Sequence, residues 1–600
     1  MYIYINIYLQ PMQEPIQFYK DEINNLNSQL VNLKKRLRTT SILRLLVFLC
    51  ISFSIYLAVT KNNLFFIVSF LLTIVFVFLI TKHLQLKQQK NLIQAKLNIN
   101  KIEIRVLNGE YIHLDSGKEF TNPAHYFSND VDLFGNSSFF QYLNRTATAE
   151  GKKLLANILS SNNIKAIEEK QKVTQELALK ITWRQHFTAV ANLINTKTAI
   201  STIVNWVHSY KQKLPTFLML FSYGFSGVSI ILISLLSFSI IPFSIVLIWF
   251  LIGLSITAFY IKSIQELATE TDKAKETFNQ YHQLLAHIEN EEFTNSKLKS
   301  EQEKIKQENK KASTIFKEFS KKLDAFDQRS NLMIALAGNG LFLLDIRNTI
   351  KIEKWIITYK TTVEEWFNVV SFFDAQNSLA NFVYNKPKYV FPTITKEKAV
   401  LNAINLGHPL LDATKRIDND FVINNEEFFI VTGANMAGKS TFLRSISLAI
   451  VMSNTGLPIC AEKIYYNPIK LITSMRTSDS LNDDESYFYA ELKRLKFIVN
   501  EIKDENYFII LDEILKGTNS KDKASGSKKF VEKLNNSKST GIIATHDVSL
   551  CDLATEYSTI KNYYFDAEII NDELHFDYKM KNGVCKNMNA SFLLKKMDIV

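Results

Sequence analysis

Residues 428–441 read FFIVTGANMAGKST, and no other stretch of the chain constrains its architecture as strongly. The apolar residues 428–432 predict a buried β-strand, and the residues from Gly433 match the pattern GxxxxGK followed by Ser or Thr. Glycines in such a loop let backbone N–H groups close around phosphate oxygens, and the N-terminus of the next helix adds positive potential. The stretch therefore predicts strand, phosphate-binding loop and helix in succession, which is the arrangement of a P-loop nucleotide site.

Each position of this loop has an expected task. Lys439 can reach the β- and γ-phosphates of a nucleotide, and the Ser440 hydroxyl can bind Mg²⁺. ATP and Mg²⁺ are therefore the predicted ligands. The residues expected to contact the nucleotide are Gly433, Ala434, Asn435, Met436, Ala437, Gly438, Lys439, Ser440 and Thr441.

Two further apolar runs end in side chains that can act on a nucleotide. Residues 507–511 read YFIIL and lead into Asp512 and Glu513. Asp512 is predicted to hold Mg²⁺ and Glu513 to polarise the attacking water. A third run, GIIA, leads to His546, which can contact the γ-phosphate. The simpler interpretation is capping acids and a surface histidine, but the order of the three motifs favours a catalytic set that includes Lys439. Short β-rich runs alternating with helical stretches predict an α/β fold with a largely parallel sheet.

The composition bounds the rest of the chain. Its 600 residues, 47% of them hydrophobic, predict two or more domains. The net charge of +11 is compatible with a polyanionic partner, although the positive charge is spread along the chain. The four cysteines form no CxxC pair, which predicts reduced thiols rather than a zinc site or disulfides.

Two apolar hairpins predict membrane insertion. Residues 43–59 and 64–80 form the first, and residues 217–237 and 243–261 form the second, with a turn that contains Pro242. About twenty apolar residues cross a bilayer as a helix. The alternative is a set of buried core helices. Lysines and arginines flank both hairpins on one side, so the positive-inside rule predicts a multi-pass protein of the cytoplasmic membrane with its soluble parts in the cytoplasm.

Helical patterns continue on both sides of the hairpins. An apolar stripe runs through Ile23, Leu26, Leu30, Leu33 and Leu37, and a second one follows residue 80. The two arms either pair as a short coil or each face a core. Residues 263–322 predict a solvated helical arm. Residues 332–344 are apolar but too short to span a bilayer, and we interpret them as packing.

Several of these stretches together resemble the MutS family of DNA mismatch repair ATPases, in the ABC ATPase superfamily. The family's phosphate loop has the form GPNMAGKST, and here Ala434 stands in place of the proline. Its second motif, DExxxGTxxxD, is matched by Asp512, Glu513, Gly517, Thr518 and Asp522. The resemblance implies two more site residues: Ser486 as the signature serine that completes the partner subunit's site, and Phe421 as the aromatic that stacks on adenine.

The resemblance covers roughly residues 110–215 and 320–600. Residues 139–158 look like the family's core-domain segment, so an all-α core or lever domain is implied beside the α/β P-loop domain of ABC type and the two transmembrane hairpins. The expected layout is an N-terminal helical arm at 1–41, hairpins at 42–80 and 216–261, core-domain halves at 81–215 and 262–395, and the ATPase domain at 396–600.

The family's mismatch-reading and connector domains have no counterpart here. The expected function is therefore that of a membrane-anchored MutS-like ATPase that hydrolyses ATP at composite sites of a homodimer, with double-stranded DNA as a candidate partner. The alternative is an ATP-driven membrane protein, or a switch scaffold, that does not contact DNA.

Overall fold

The fold was analysed in a computed structural model. It describes residues 14–193, 198–306, 310–434, 436–476, 487–516, 519–570 and 573–586. They form two compact units. The first comprises Met1–Glu103, Thr146–Lys152 and Thr182–Asp374, and the second comprises Ile104–Arg145, Lys153–Ile181 and Ala375–Val600. Each unit is therefore assembled from three separate stretches of the chain.

Two long helices open the chain, α1 (Pro15–Thr60) and α2 (Phe65–Leu107). Pro15 stands in the first turn of α1, where its missing N–H costs no helical hydrogen bond. Each helix joins an apolar stretch to its polar arm without a break, because no glycine or proline interrupts either one. Leu26 and Leu30 of α1 form an apolar cluster with Leu97 of α2, which Ile23 and Ile93 cover. The two arms thus pair with each other, and the arm of α2 also packs on the helix Ile181–Asn192, where buried Asn100 donates to Gln185 at 3.1 Å. Both interpretations of the arms therefore hold in part.

Among the described residues, thirteen more α-helices precede the first strand. They are α3 (Phe139–Leu143), α4 (Ala149–Ser160), α5 (Ile167–Leu179), α6 (Ile181–Asn192), α7 (Ile200–Ser209), α8 (Phe217–Ser237), α9 (Phe243–Phe259), α10 (Ile261–Glu289), α11 (Ser296–Glu303), α12 (Ala312–Asp327), α13 (Leu332–Phe342), α14 (Leu344–Tyr359) and α15 (Val363–Asn385). In the first unit, α10, α12, α14 and α15 meet around an aromatic core. The prediction of a solvated helical arm at residues 263–322 is therefore wrong, because α10 and α12 each bury one face in this core. Phe319 stacks on Trp355 with ring centroids 3.6 Å apart, and Phe278 contacts Phe316 and Phe367 edge-on or tilted.

The apolar helices of the described residues divide by length. Three are long and apolar enough to cross a membrane: Pro15–Thr60, Phe65–Leu107 and Phe217–Ser237. A fourth is added if Phe243–Phe259 and Ile261–Glu289, which bend by 64° at their junction, count as one span. Between 6% and 28% of the most apolar stretch of the three single helices is covered by protein. Their apolar surface is therefore largely open.

A buried carboxylate organises the segment that precedes α4. Asp374 of α15 accepts hydrogen bonds from the backbone N–H groups of Ala147 and Thr148 and from the Thr148 hydroxyl, the last at 2.6 Å. The Thr148 hydroxyl in turn accepts from the N–H of Gly151. A Cβ on Gly151 would lie 2.2 Å from Asp374 Oδ2, so only glycine fits there. This network gives the family-like sequence RTATAEG a structural role.

The second unit contains the sheets. The strands are β1 (Thr393–Ile394), β2 (Ala399–Leu406), β3 (Asn419–Asn424), β4 (Phe428–Gly433), β5 (Lys463–Tyr466), β6 (Lys470–Ser474), β7 (Tyr507–Asp512), β8 (Thr540–Ala544), β9 (Ile560–Phe565), β10 (Glu568–Ile570), β11 (Glu573–His575) and β12 (Met580–Asn582). A six-stranded sheet has the order β12-β9-β4-β8-β7-β6, parallel except for β12, and a mixed four-stranded sheet has the order β1-β5-β2-β3.

Among the described residues, the helices that follow the first strand are α16 (Lys439–Thr455), α17 (Tyr487–Glu501), α18 (Ser520–Asn536) and α19 (Leu553–Glu556). The central strands β4, β7 and β8 are almost entirely buried, as their continuous apolar sequences require in a parallel sheet covered on both faces. The predicted strands at residues 428–432, 507–511 and 541–544 and the largely parallel sheet are confirmed.

Candidate functional site

Three strand ends meet at one edge of the six-stranded sheet. β8 lies between β4 and β7, and all three run parallel. Ala544 is paired with Val431 on one side and with Asp512 on the other. The loops after these strands therefore converge at the carboxyl edge, where open α/β sheets bind ligands. The three predicted motifs are brought together by the strand order.

The loop after β4 needs glycine at both ends. Gly433 has φ 148°, and a Cβ there would lie 2.5 Å from the carbonyl oxygen of Phe565. Gly438 has φ 100° and directly precedes α16. Both conformations favour glycine over residues with a side chain. Between them, Met436 has φ 67° and an exposed side chain, whereas Ala437 is buried. The loop thus carries its backbone N–H groups to the N-terminus of α16, as an anion site requires.

Lys439 is the first residue of α16, and its side chain turns back over the loop. Its Nζ donates to the carbonyl oxygens of Gly433 at 2.7 Å and Ala434 at 2.9 Å. The side chain is buried, and burial lowers the pKa of the ammonium. Asp512 and Glu513 act in the opposite direction, since their negative charges favour the protonated form. The lysine is held beside the acidic residues by contacts that a phosphate could replace.

Two oxygen ligands for a divalent cation stand side by side. The Ser440 hydroxyl donates to Asp512 Oδ2 at 2.6 Å. Hydroxyl and carboxylate oxygens are the donors that Mg²⁺ uses in nucleotide sites, together with water and phosphate oxygens. The two residues predicted to bind the metal thus fit that task in chemistry and in position.

Glu513 and His546 are in direct polar contact. His546 Nε2 lies 2.8 Å from Glu513 Oε1 and 3.5 Å from Lys439 Nζ. The hydrogen bond from His546 is the main cause that lowers the pKa of Glu513 to about 2, and the charges of His546, Lys516 and Lys523 add to it. Glu513 is therefore ionised at neutral pH. The predicted catalytic residues Lys439, Glu513 and His546 lie together.

The sequence reasoning missed a residue that holds the loop after β7. Glu491 of α17 is only 3% exposed, and its carboxylate accepts from the backbone N–H groups of Leu515 and Lys516, the latter at 3.0 Å. Glu513 and Leu515 both have left-handed φ angles, 51° and 58°, which non-glycine residues adopt at a cost. Glu491 follows the predicted signature serine Ser486 by five residues, but only the fold shows what it binds.

A second missed residue covers the start of α16. A Cβ placed on Gly438 would lie 3.0 Å from Cδ1 of Tyr578, so the tyrosine ring rests on this glycine. The ring stacks on Phe576 with centroids 5.9 Å apart. Tyr578 is held by Asn419, whose side-chain amide donates to the Tyr578 carbonyl at 3.0 Å. No motif marks this segment, so the sequence carries no signal for it.

Phe421 requires a correction. It lies on β3 and is 1% exposed, with its ring edge-on to those of Phe429 and Phe442. A ring enclosed in this way has no face for a base, because both sides are occupied by side chains of the core. The expected stacking of Phe421 on adenine does not agree with the structure, and the aromatic ring beside the loop is that of Tyr578.

The remaining predicted site residues have different outcomes. Thr441 lies in the first turn of α16 and is exposed. Asn435 and Ser486 lie outside the described residues, as do Gly517 and Thr518. Their predicted roles stay predictions.

Comparison with known proteins agrees with this geometry. The sequence pattern of MutS domain V matches residues 429–595, which include the loop after β4, the acidic pair after β7 and the histidine after β8. The C-terminal part of the chain is therefore similar to MutS domain V. It is homologous to MutS and MSH4 mismatch repair proteins.

Three relatives show how far this similarity extends. The chain is 29% identical over 231 residues to DNA mismatch repair protein MSH4 of Arabidopsis thaliana, which is 37% of this chain and 28% of that protein. It is 29% identical over 212 residues to MutS protein homolog 4 of Homo sapiens, covering 34% and 22%. It is 31% identical over 220 residues to DNA mismatch repair protein MutS of Methanococcoides burtonii, covering 35% and 24%. The match thus spans about a quarter of these relatives.

Proposed function

We propose that the chain is a MutS-like ATPase that hydrolyses ATP with Mg²⁺ and is anchored in a membrane. The observation that carries the ATPase part is the meeting of Lys439, the Ser440–Asp512 pair and the Glu513–His546 pair at one sheet edge. These are a phosphate-binding cation, two oxygen ligands for a metal, and an ionised carboxylate. Together they supply a phosphate contact, a metal site and a base for phosphoryl transfer to water.

The chemistry follows from the roles of these residues. Lys439 exchanges its hydrogen bonds to the carbonyl oxygens of Gly433 and Ala434 for contacts with the β- and γ-phosphate oxygens. Mg²⁺, held by Ser440 and Asp512, would neutralise the phosphate charge. Glu513 accepts a hydrogen bond from the attacking water and takes its proton, and its contact with His546 opens as the nucleotide binds. His546 is then free to contact the γ-phosphate.

Two variants test the ATPase. Lys439→Ala removes the phosphate contact and is expected to weaken ATP binding. Glu513→Gln keeps the loop intact and is expected to bind ATP while losing most turnover. Mg²⁺-dependent phosphate release and equilibrium nucleotide binding are measured on the same preparations. Wild-type turnover in Glu513→Gln would remove that residue from the mechanism, and no turnover in the wild type would contradict the proposal.

The membrane part rests on the long apolar helices α1, α2 and α8 and on their open surfaces. Lysines and arginines before α8 and after the apolar part of α2 favour a cytoplasmic position of the soluble parts. The protein is expected to resist extraction by alkali, and protease added to sealed right-side-out vesicles is expected to leave the ATPase uncut. Release by alkali, or cleavage of the ATPase, would contradict this topology.

DNA is proposed as a partner, because the relatives are DNA mismatch repair proteins and the chain carries a net charge of +11. Double-stranded DNA binding by the solubilised protein is expected to weaken steeply with salt, since each phosphate contact releases counterions. Absence of binding at low salt would favour the second candidate, an ATP-driven membrane protein or switch scaffold that does not contact DNA.

A further inference from the structure

Helix α13 is apolar, yet it is too short to cross a bilayer. Among the described residues it is a short apolar helix that belongs neither to the three long apolar helices nor to the bent pair of α9 and α10. Its C-terminal half, from Gly338 to Gly340, is buried, whereas its N-terminal half is open: Leu332 is 71% exposed and Met333 is 82% exposed. A soluble protein rarely leaves such side chains adjacent and uncovered.

The buried half packs on the second apolar hairpin through glycine. A Cβ on Gly253 of α9 would lie 2.3 Å from the carbonyl oxygen of Gly340, and a Cβ on Gly340 would lie 2.3 Å from the ring of Phe250. The two helices therefore approach backbone to backbone. Contacts between small residues are typical of helix packing within bilayers, where close approach is a main source of association.

Protein groups satisfy the backbone at both ends of α13. At its C-terminus the hydroxyls of Ser229 and Ser226 donate to the carbonyl oxygens of Leu341 and Phe342. Arg347 also donates to the Phe342 carbonyl, at 3.2 Å. At its N-terminus the side-chain oxygen of Asn331 accepts from the N–H groups of Met333 and Ile334. Helix ends in water can bind solvent, but in hydrocarbon they need protein partners.

The depth of these contacts points to lipid. Ser226 and Ser229 lie near the middle of α8, so the C-terminus of α13 is level with the centre of that helix. If α8 crosses the membrane, its centre lies in the hydrocarbon region. The open side chains of α13 then adjoin the open apolar surfaces of α8 and α9, which face acyl chains.

We propose that α13 is a re-entrant helix whose N-terminal half inserts among the acyl chains beside the second hairpin. This inference rests on the proposed membrane anchoring. Acyl chains are the occupant that fits, because the open side chains are apolar and continue the surface of the hairpin.

Site-specific fluorescence in lipid nanodiscs tests the insertion. The full-length protein with Cys50→Ser retains only the buried thiols Cys460, Cys551 and Cys585. Met333→Cys is added and labelled with the polarity-sensitive dye NBD, and Leu336→Cys serves as a second position on α13. Ile248→Cys on the open surface of α9 is the lipid control, and Lys299→Cys on α11 is the aqueous control. Nanodiscs with and without doxyl-labelled phosphatidylcholine are compared.

Blue-shifted emission and doxyl quenching at both α13 positions, as at Ile248 and unlike at Lys299, are expected. Quenching at Ile248 without quenching at α13 would overturn the re-entrant helix and leave the membrane anchor standing. Blue-shifted emission at α13 that doxyl lipids do not quench would mean cover by protein, such as a second copy, and would also overturn it. Absence of quenching at Ile248 as well would refute both the anchor and the insertion.

Discussion

His546 Nε2 lies 2.8 Å from Glu513 Oε1, so the residue placed to activate water is hydrogen-bonded to the residue placed to contact the γ-phosphate. The two side chains come from the ends of the neighbouring strands β7 and β8. In this arrangement the carboxylate is ionised, but one of its oxygens is engaged. In the proposed mechanism this contact opens when the γ-phosphate attracts His546.

The first prediction separates the two residues. We expect Glu513→Gln to lower kcat by about 10²- to 10⁴-fold, the usual contribution of a positioned base, and His546→Ala to lower it by less. ATP affinity should change little in Glu513→Gln, because the phosphate loop is intact. Steady-state hydrolysis and equilibrium binding check this. A His546→Ala variant with a lower kcat than Glu513→Gln would contradict the assignment of Glu513 as the base.

The second prediction concerns Glu491, which acts on the loop from outside the nucleotide contacts. Glu491→Ala leaves the N–H groups of Leu515 and Lys516 without their acceptor, each at a cost of about 1–3 kcal/mol. The left-handed residues of the loop then lose their support, so kcat should fall with little change in ATP affinity.

A matched control is Glu427 in the β3–β4 turn, which is similarly buried and accepts hydrogen bonds from Asn424 and from Lys561 of β9. Glu427→Ala is expected to lower stability without the selective loss of kcat. Partial recovery of kcat in Glu491→Gln, which keeps one carbonyl acceptor, supports the positioning role. Equal effects of the Glu491 and Glu427 variants on kcat would contradict it.

The third prediction contrasts two aromatic residues. Tyr578 rests on Gly438 with its ring partly exposed, whereas Phe421 is enclosed. If a base stacks on the exposed ring, Tyr578→Ala should weaken nucleotide binding by about 1–3 kcal/mol, the usual range for base–aromatic stacking. Tyr578→Phe should bind as the wild type does. Phe421→Leu should lower thermal stability more than it lowers nucleotide affinity. Titration with a fluorescent nucleotide measures the affinity of each variant. Unchanged affinity in Tyr578→Ala would exclude the stacking.

The sequence predicted this site well because its signals are local. A strand, a glycine loop and a helix are contiguous in residues 428–441, and the strand order then brings Asp512 and His546 alongside. Long-range packing decided what was missed. The enclosure of Phe421 depends on the rings of Phe429 and Phe442, and Glu491 binds backbone groups that are 24 residues further along.

The predicted helices show the same limit. Apolar composition delimited residues 43–59 and 64–80, but the helices α1 and α2 extend far into the polar arms. A change from apolar to polar residues does not end a helix, because the backbone hydrogen bonds continue unless glycine, proline or a cap interrupts them. The composition therefore located the apolar stretches without setting the ends of the helices.

The fourth prediction uses the buried carboxylate of the first unit. Burial raises the pKa of Asp374 to about 6, above the usual value of about 3.9. Between these values the folded protein holds a proton that the unfolded chain releases, so this group's contribution to stability is complete below about pH 4 and is lost as the pH rises to about 6. The loss is about 2–3 kcal/mol. An asparagine does not titrate in this range, so Asp374→Asn lacks this dependence on pH.

The measurement is the difference in unfolding free energy between the wild type and Asp374→Asn at pH 4, 5 and 6. Other titrating groups cancel in this difference. The unfolding free energy of the wild type, relative to that of Asp374→Asn, is expected to fall as the pH rises. A difference that is constant over this range would show that the pKa of Asp374 is not raised.

The last prediction is that the active form is a dimer with two composite sites. Lys439 approaches the phosphates from the loop, so the charge on the far side of the γ-phosphate is met by another group, and a group supplied in trans is a common solution. Ser486, outside the described residues, is the predicted donor from the partner. Ser486→Ala and Lys439→Ala are expected to be inactive alone. When they are co-expressed with different tags and purified as a mixed pair, one site contains both intact residues, and partial hydrolysis should return.

Lys439→Ala with Glu513→Gln is the matched control: both residues serve the same site in cis, so neither site of that mixed pair is complete. Activity in the first pair and none in the second would locate Ser486 across the interface. A purified Ser486–Lys439 mixed pair that is as inactive as its parents would refute the composite site.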